Sequence, residues 1–323
     1  MLTTLIRQLG ALRLALPAVL CALLLAACAS TPLQPVALAP GAPTRAELVD
    51  TPFFPDDSHF CGPAALATSL SAVGLVTTPA QLVGQVFLPG REGTLQIEML
   101  SGARRQGAVA MVIPGTLAAL KQEIDAGHPV VVLQNLGLSW APSWHYAVVV
   151  GYDLERGQLL LRSGPMRRQV MTLRTFGHTW QRSQYWAFVA LPPGRLPASV
   201  TEQDATRALV AFERNAKPAT AVTAYRAARQ RWPHNTTLAM GLGNALYASG
   251  DLLAAAQVFR DTAATHQLAA AYNNLARILL QQGHVAEARQ AAEGGLALAG
   301  PLRATLLDTL RDIEQAAPPQ PGS

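Results

Sequence analysis

The stretch Ser58-His59-Phe60-Cys61-Gly62-Pro63-Ala64-Ala65-Leu66-Ala67 sets a cysteine immediately before a predicted helix. Pro63 suits the first helical turn because its missing N–H would have no partner there, and apolar residues recur on one face at Leu66, Leu70 and Val73. The Cys61 sulfur would then lie at a helix N-terminus, where unpaired N–H groups and the helix dipole favour the thiolate over the thiol. This position suits a nucleophile.

A thiolate nucleophile needs a base, and a second stretch offers one. Trp144-His145-Tyr146-Ala147-Val148-Val149-Val150-Gly151-Tyr152 places His145 at the mouth of a strongly apolar strand. Imidazole exchanges protons near neutral pH, so His145 is the candidate partner of Cys61. His59 is closer in sequence, but it is more typical of a surface loop than of a cleft.

Two motifs together, Cys61-Gly62-Pro63-Ala64 and His145-Tyr146-Ala147-Val148-Val149 with Gly151-Tyr152 closing the strand, carry a family resemblance. They resemble the papain-like cysteine peptidases of the bacteriocin-processing, double-glycine-leader family, whose domain also heads many peptide-exporting ABC transporters. The resemblance covers roughly residues 51–193. It implies an α+β fold in which a helical half faces an antiparallel sheet, and it implies hydrolysis of peptide bonds by Cys61 and His145.

The sequence departs from that family at two positions. The family has a glutamine a few residues before the cysteine that helps to form the oxyanion hole, and residues 54–58 contain none. The family's third catalytic member is an aspartate at the end of the next strand, where this chain has Ser163. A serine accepts a hydrogen bond from imidazole without a carboxylate's charge, so Ser163 is a weakened third member. A catalytically weak peptide-binding module is therefore the alternative.

Other polar and aromatic residues near the motifs have structural explanations. Asp56 and Asp57 are predicted to cap the Cys61 helix rather than to act in catalysis. Trp140 and Trp144 either wall a substrate groove or only pack. The remaining histidines show no spacing typical of a zinc site, and we predict neither a metal nor a cofactor.

The N-terminus has the pattern of a lipoprotein signal peptide over residues 1–27, because Arg7 and Arg13 precede a short apolar run. Leu25-Ala26-Ala27-Cys28 has the form of a bacterial lipoprotein box. The resemblance implies cleavage before Cys28, lipidation of its thiol and, with Ala29 next, sorting to the outer membrane facing the periplasm. An ordinary cleaved signal or an uncleaved anchor are the alternatives. Lipidation would leave Cys61 as the one free thiol of the mature chain in an oxidising compartment.

The predicted domains are a flexible tether at 28–45, a papain-like peptidase domain at 46–195 and an all-α repeat domain at 201–316. The stretch 192–197 is expected to make few contacts, so that the two domains behave separately. In the first domain the patterns predict further helices at 79–86, at 94–105 with Thr94 as cap, and at 116–126, and strands at 130–133, 145–152, 158–162, 169–173 and 185–191.

The repeat domain resembles tetratricopeptide repeats in the spacing of small and aromatic residues. Ala221 and Tyr225 recur thirty-four residues later as Ala255 and Phe259. A second set recurs thirty-three residues later: Leu242, Tyr247 and Gly250 become Leu275, Leu280 and Gly283. The pattern predicts three helix pairs, which is about the minimum that buries a continuous core. An unspecialised helical bundle is the alternative.

Composition bounds the partners. Half of the 323 residues are hydrophobic, which suits a globular chain, and a formal net charge of +5 is too small to indicate nucleic-acid binding. We expect a peptide or protein substrate at the cysteine, a protein partner at the repeats and the membrane at Cys28. A scaffold in which the repeats are the working part is a further alternative.

Replacing Cys28 with alanine tests the lipid anchor. We expect the variant to move from the membrane fraction to the soluble periplasmic fraction, because one lipidated thiol supplies the attachment. Fractionation and immunoblotting measure this. A variant that stays with the membranes after a high-salt wash would place the anchor elsewhere.

Overall fold

The computed structural model describes residues 33–34, 36–56, 59–298 and 300–316. The predicted signal peptide, residues 1–27, and the predicted lipidation residue Cys28 lie outside these ranges. Within the described ranges, no helix combines the length and the apolar character that crossing a membrane requires.

The first region of the chain is built on one antiparallel sheet. Its described strands are β1 (Arg45–Glu47), β2 (Val109–Val112), β3 (Val130–Asn135), β4 (Trp144–Asp153), β5 (Gln158–Ser163), β6 (Met166–Thr172) and β7 (Ala187–Leu191). Their order in the sheet is β2-β7-β3-β4-β5-β6, and β1 pairs with the end of β4 that β3 does not reach. Its described helices are α1 (Cys61–Ala72), α2 (Pro79–Val86), α3 (Gln96–Arg105), α4 (Leu117–Asp125) and α5 (Leu173–Gln181). The α+β prediction is confirmed.

Helices cover both faces of this sheet, and that explains the unbroken apolar run in β4. Tyr146, Val148 and Val150 pack into the core shared with α1, α2 and α3. Ala147 and Val149 face the other way, into the core shared with α4 and α5. A strand buried on both faces needs no polar alternation.

Several predicted boundaries differ from the structure, among them the start of the strand predicted at 169–173, which begins at Met166, and three of the differences have a local reason. The helix predicted at 94–105 begins at Gln96 and has no side-chain cap. The strand predicted at 169–173 ends at Thr172, whose hydroxyl accepts the N–H of Thr175 and so starts α5 instead. The last strand begins at 187 rather than 185 because Gln184 and Tyr185 have left-handed φ angles of 58° and 57°.

Residues 202–316 fold as helices packed in pairs, as the repeat pattern predicts. They are α6 (Glu202–Glu213), α7 (Pro218–Arg231), α8 (Thr236–Ala248), α9 (Leu252–His266), α10 (Ala269–Gln281), α11 (Val285–Ala297) and α12 (Arg303–Ala316). Two glycines of α8 admit the predicted aromatics. A Cβ at Gly241 would lie 2.4 Å from the Tyr225 ring, and one at Gly243 would lie 2.6 Å from Phe259.

The two regions are joined by a buried carboxylate. Glu123 of α4 accepts hydrogen bonds from the Ser199 N–H at 2.6 Å, the Ser199 hydroxyl at 2.5 Å and the Ala198 N–H at 3.1 Å. Within the first region, the Glu123 carboxylate also pairs with His128 Nδ1 at 2.8 Å. From the repeat side, Arg231 donates to the carbonyls of Pro197 at 2.7 Å and Ala198 at 2.8 Å. The linker is therefore held from both sides.

Apolar packing continues across the same junction. Along β2, Val109 and Met111 pack into the core of the repeats together with Val200 and Leu209, whereas Ala110 packs into the core on the other face. The expectation that the linker makes few contacts is wrong, because an edge strand of the sheet also serves as a wall of the helical domain.

Acid should weaken this junction through Glu123. Burial acts to raise the pKa of Glu123, but hydrogen bonds from His128, Ser199 and Ala198 outweigh it and hold the pKa below its ordinary value. A lowered folded-state pKa gives stability that is present above the unfolded-state pKa of about 4.3 and lost as pH falls through the folded value. We expect Glu123→Gln to lower the free energy of unfolding at pH 7 by about 1–3 kcal/mol and to flatten the acid dependence, in urea denaturation at several pH values.

Glu293→Gln is the matched control, because Glu293 lies exposed on the repeats. A Glu123→Gln protein with wild-type stability and an unchanged acid profile would contradict the role of the clamp.

Candidate active site

Cys61 is the first residue of α1, and its position is fixed by packing rather than by a polar cap. The N-cap residue is Phe60, which makes no side-chain capping hydrogen bond and lies against the Phe87 ring with centroids 4.8 Å apart. The N-cap residue is therefore Phe60 and not Asp56, and Asp57 lies outside the described residues.

Gly62 allows a close approach between α1 and the segment before α3. A Cβ at Gly62 would lie 2.5 Å from the Thr94 hydroxyl oxygen, so any residue other than glycine would displace Thr94. The Tyr146 hydroxyl donates to the Thr94 carbonyl at 3.2 Å and fastens the same segment to β4. The Gly62 of the motif therefore serves packing at the nucleophile.

His145 and Ser163 are brought together across β4 and β5. The distance between His145 Nε2 and Ser163 Oγ is 2.9 Å, which is a hydrogen bond. Ser163 is buried and His145 is half-buried. Because Nε2 is engaged by Ser163, the imidazole has Nδ1 left for exchange with another group.

Cys61 lies beside this pair. The backbone N–H of Tyr146, the residue after His145, is directed at the Cys61 sulfur, together with the N–H groups of Gly62 and of Cys61 itself. Cys61 and His145 line one cleft of about 780 Å³. The structure thus places the three residues singled out from the sequence, Cys61, His145 and Ser163, in one site.

The protonation state of Cys61 differs from the thiolate that the helix N-terminus alone would favour. Burial raises the pKa of the Cys61 thiol, and the negative charge of Asp56 raises it further, while the three N–H groups lower it without offsetting burial. Burial also lowers the pKa of His145, against an opposite effect of Asp56. Each group alone therefore favours its neutral form, and a thiolate forms most easily when its proton passes to the imidazole.

The cleft has apolar and polar walls. Its lining residues include His59, Arg91, Glu92, Thr94, Leu95, Gln96, Leu136, Trp144, Arg182 and Gln184. Trp144 is 51% exposed there, whereas Trp140 is 83% exposed and is not part of this lining. His59 is exposed and does line the cleft. Two glutamine amides thus reach the cleft, although neither precedes the cysteine.

Asn135 and Arg182 hold the β3–β4 loop that forms one edge of the cleft. The side-chain oxygen Oδ1 of Asn135 accepts hydrogen bonds from the N–H groups of Gly137 and Ser143, each at 2.9 Å. Arg182 donates to the backbone carbonyls of Asn135 at 3.2 Å and Gly137 at 2.5 Å. The loop that carries Leu136 is therefore rigidly seated on α5.

Comparison with known proteins divides the chain into the same two regions. Residues 48–188 match the model of the Peptidase_C39 like family, and residues 207–267 match a tetratricopeptide repeat model. The chain carries a C39-like peptidase domain followed by tetratricopeptide repeats. No relative was found among curated proteins.

Solved structures resemble the two parts separately. The C39-like domain is similar to a Bacillus anthracis protein described as a C39-like peptidase, with 16% identity over 46% of this chain and 97% of that chain and a TM-score of 0.39. It is also similar to the peptidase domain of Streptococcus ComA, a bi-functional ABC transporter involved in a quorum sensing pathway, with 22% identity, coverage of 44% and 98%, and a TM-score of 0.37.

The repeats are similar to SycD, a type III secretion chaperone of Yersinia enterocolitica in complex with a peptide of the translocator YopD. The identity is 18%, the coverage is 35% of this chain and 92% of that chain, and the TM-score is 0.33.

Several residues of the site were not identified from the sequence of the C39-like domain. Asn135 and Arg182 act through the β3–β4 loop, and Gln184 enters the cleft because its left-handed φ turns the chain after α5. Among the described residues, no three His, Cys, Asp or Glu side chains form a group that could hold a metal ion. Asp56 could have been noted from the sequence as an acidic residue near the site, since it lies five residues before Cys61.

Proposed function

We propose that the C39-like domain is a cysteine peptidase in which Cys61 attacks a peptide carbonyl. The observation that carries the proposal is the shared cleft of Cys61 and His145, with the imidazole oriented by Ser163 at 2.9 Å. His145 takes the thiol proton as the sulfur attacks and later donates a proton to the leaving amine. The backbone N–H of Cys61 at the start of α1 contributes to stabilising the oxyanion.

The substrate in this proposal is a peptide or an unstructured protein segment. An open cleft of about 780 Å³ with apolar edges at Leu95 and Trp144 suits an extended chain with apolar side chains. The tetratricopeptide repeats recruit a protein or peptide partner, and their firm junction with the C39-like domain keeps that partner at a fixed distance from the cleft.

We further propose that Cys28 is lipidated and that the protein works at the outer membrane, facing the periplasm. The lipoprotein box at 25–28 supports this, and an oxidising compartment with a single unmodified thiol in the mature chain would favour a functional Cys61.

A peptide-binding module with weak turnover is the second candidate. It is favoured by a specific feature, namely a buried thiol of raised pKa beside a histidine that has a hydroxyl, not a carboxylate, as its partner. In that case the cleft would bind peptides without hydrolysing them.

Digestion of an unbiased peptide library by the full chain tests the peptidase. We expect cleavage by the wild type, loss by at least about a hundredfold in Cys61→Ala and His145→Ala, and wild-type cleavage in His234→Ala, which removes an exposed histidine of the repeats. Ser163→Asp should raise turnover, because a carboxylate stabilises the imidazolium by charge as well as by hydrogen bonding.

Mass spectrometry of the digest reads the cleavage sites. Binding of library peptides with no cleavage by the wild type or by Ser163→Asp would replace the peptidase with the binding module. Cleavage that survives in Cys61→Ala would exclude both the peptidase that uses Cys61 and the binding module that does not hydrolyse peptides.

A further inference from the structure

Asp56 lies in a second cavity that shares Cys61 with the main cleft. The cavity is narrow, at about 10 Å³, and Ser163, Gly164 and Tyr146 also line it. A cavity of this size holds about one water molecule, so charges that face it are poorly solvated. Asp56 is thus an acidic residue that borders both Cys61 and Ser163, the residue hydrogen-bonded to His145.

Backbone contacts hold Asp56 in this position. Its N–H donates to the Gly164 carbonyl at 3.1 Å, and Gly164 has a left-handed φ of 54° in the turn between β5 and β6. A Cβ at Gly164 would lie 3.4 Å from the Asp56 carbonyl oxygen. The turn that carries Ser163 and the segment before the cysteine are therefore fastened to each other.

The charge of Asp56 reaches both members of the pair. Next to the larger effects of burial, it raises the pKa of the His145 imidazole and raises the pKa of the Cys61 thiol. A negative charge stabilises an imidazolium and destabilises a thiolate, so both protons are held to higher pH.

Among the described residues, the other titratable or charged groups around the pair are Arg91, Glu92 and Arg182 on the cleft rim, His59 before α1, and Arg162 and Tyr146 in the lining of the second cavity or of both cavities. Arg182 and Arg162 donate to backbone carbonyls, and the Tyr146 hydroxyl donates to Thr94. None of these six contributes the charge that raises the pKa of His145, which comes from Asp56.

We propose that Asp56 is a carboxylate that acts on this site, a positioning residue that stabilises the His145 imidazolium from its place beside Cys61 and the turn that carries Ser163, which itself offers only a hydroxyl. The inference rests on the proposed peptidase function. The proton that leaves the Cys61 sulfur bonds to the imidazole, and Asp56 is not a partner in this transfer. The site thereby has the negative charge that position 163 lacks, from a different element of the fold.

Asp56→Asn in the full chain tests this with two titrations that need no substrate. The first follows the His145 ring by NMR, and the second follows the rate of iodoacetamide alkylation on the Cys61 peptide by mass spectrometry. We expect both midpoints to move to lower pH in Asp56→Asn. Asp50→Asn, which removes an exposed carboxylate from the same segment, should leave both at the wild-type pH.

A second variant distinguishes the loss of the Asp56 charge from a folding defect. The double variant Asp56→Asn, Ser163→Asp puts a carboxylate at the position that is hydrogen-bonded to the imidazole and should return the His145 midpoint toward higher pH. Unchanged midpoints in a folded Asp56→Asn protein, or equal shifts in Asp50→Asn, would overturn the role of Asp56. Library peptides left intact by a wild type whose titrations behave as expected would refute the peptidase alone.

Discussion

The contact between the start of α1 and strand β4 at Tyr146 is the constraint on which the site depends. The Tyr146 N–H faces the Cys61 sulfur, its hydroxyl holds the Thr94 carbonyl at 3.2 Å, and its ring is buried in the core with α1. One residue thus links the helix, the strand and the cleft wall. His145, the preceding residue of the same strand, lines the cleft together with Cys61.

Burial has opposite consequences for packing and for chemistry at this junction. It stabilises the contact between helix and sheet, yet it favours the neutral forms of both Cys61 and His145. A neutral pair becomes reactive by moving one proton between its members, which creates two charges that stabilise each other in a poorly solvated place. The hydrogen bond between His145 and Ser163 orients the imidazole for that transfer.

Much of this arrangement could be predicted from the sequence, because it depends on local patterns. Pro63 and the apolar spacing of α1 indicated the helix that begins at Cys61, and the apolar run after His145 indicated β4. The thirty-four-residue recurrence of Tyr225 as Phe259 indicated the repeats, whose aromatic rings fill space that glycines leave open.

What could not be predicted arises from contacts between distant segments. Glu123 reads as one more charged residue of an amphipathic helix, and only the fold brings Ser199 to its carboxylate. Asp56 has the residue type of a helix cap, but the N-cap residue is Phe60, which packs against Phe87. Similarly, the effect of burial on the Cys61 thiol depends on the sheet that covers it and opposes the effect of the helix N-terminus.

Trapping the acyl-enzyme tests the central claim, that Cys61 is a nucleophile activated by His145, most directly. The full chain is mixed with a peptide p-nitrophenyl ester, quenched in acid and analysed by mass spectrometry after digestion. The account predicts a hydroxylamine-sensitive acyl group on the peptide that contains Cys61, formed much more slowly in His145→Ala. Acylation that avoids Cys61, or that forms equally fast without His145, would contradict it.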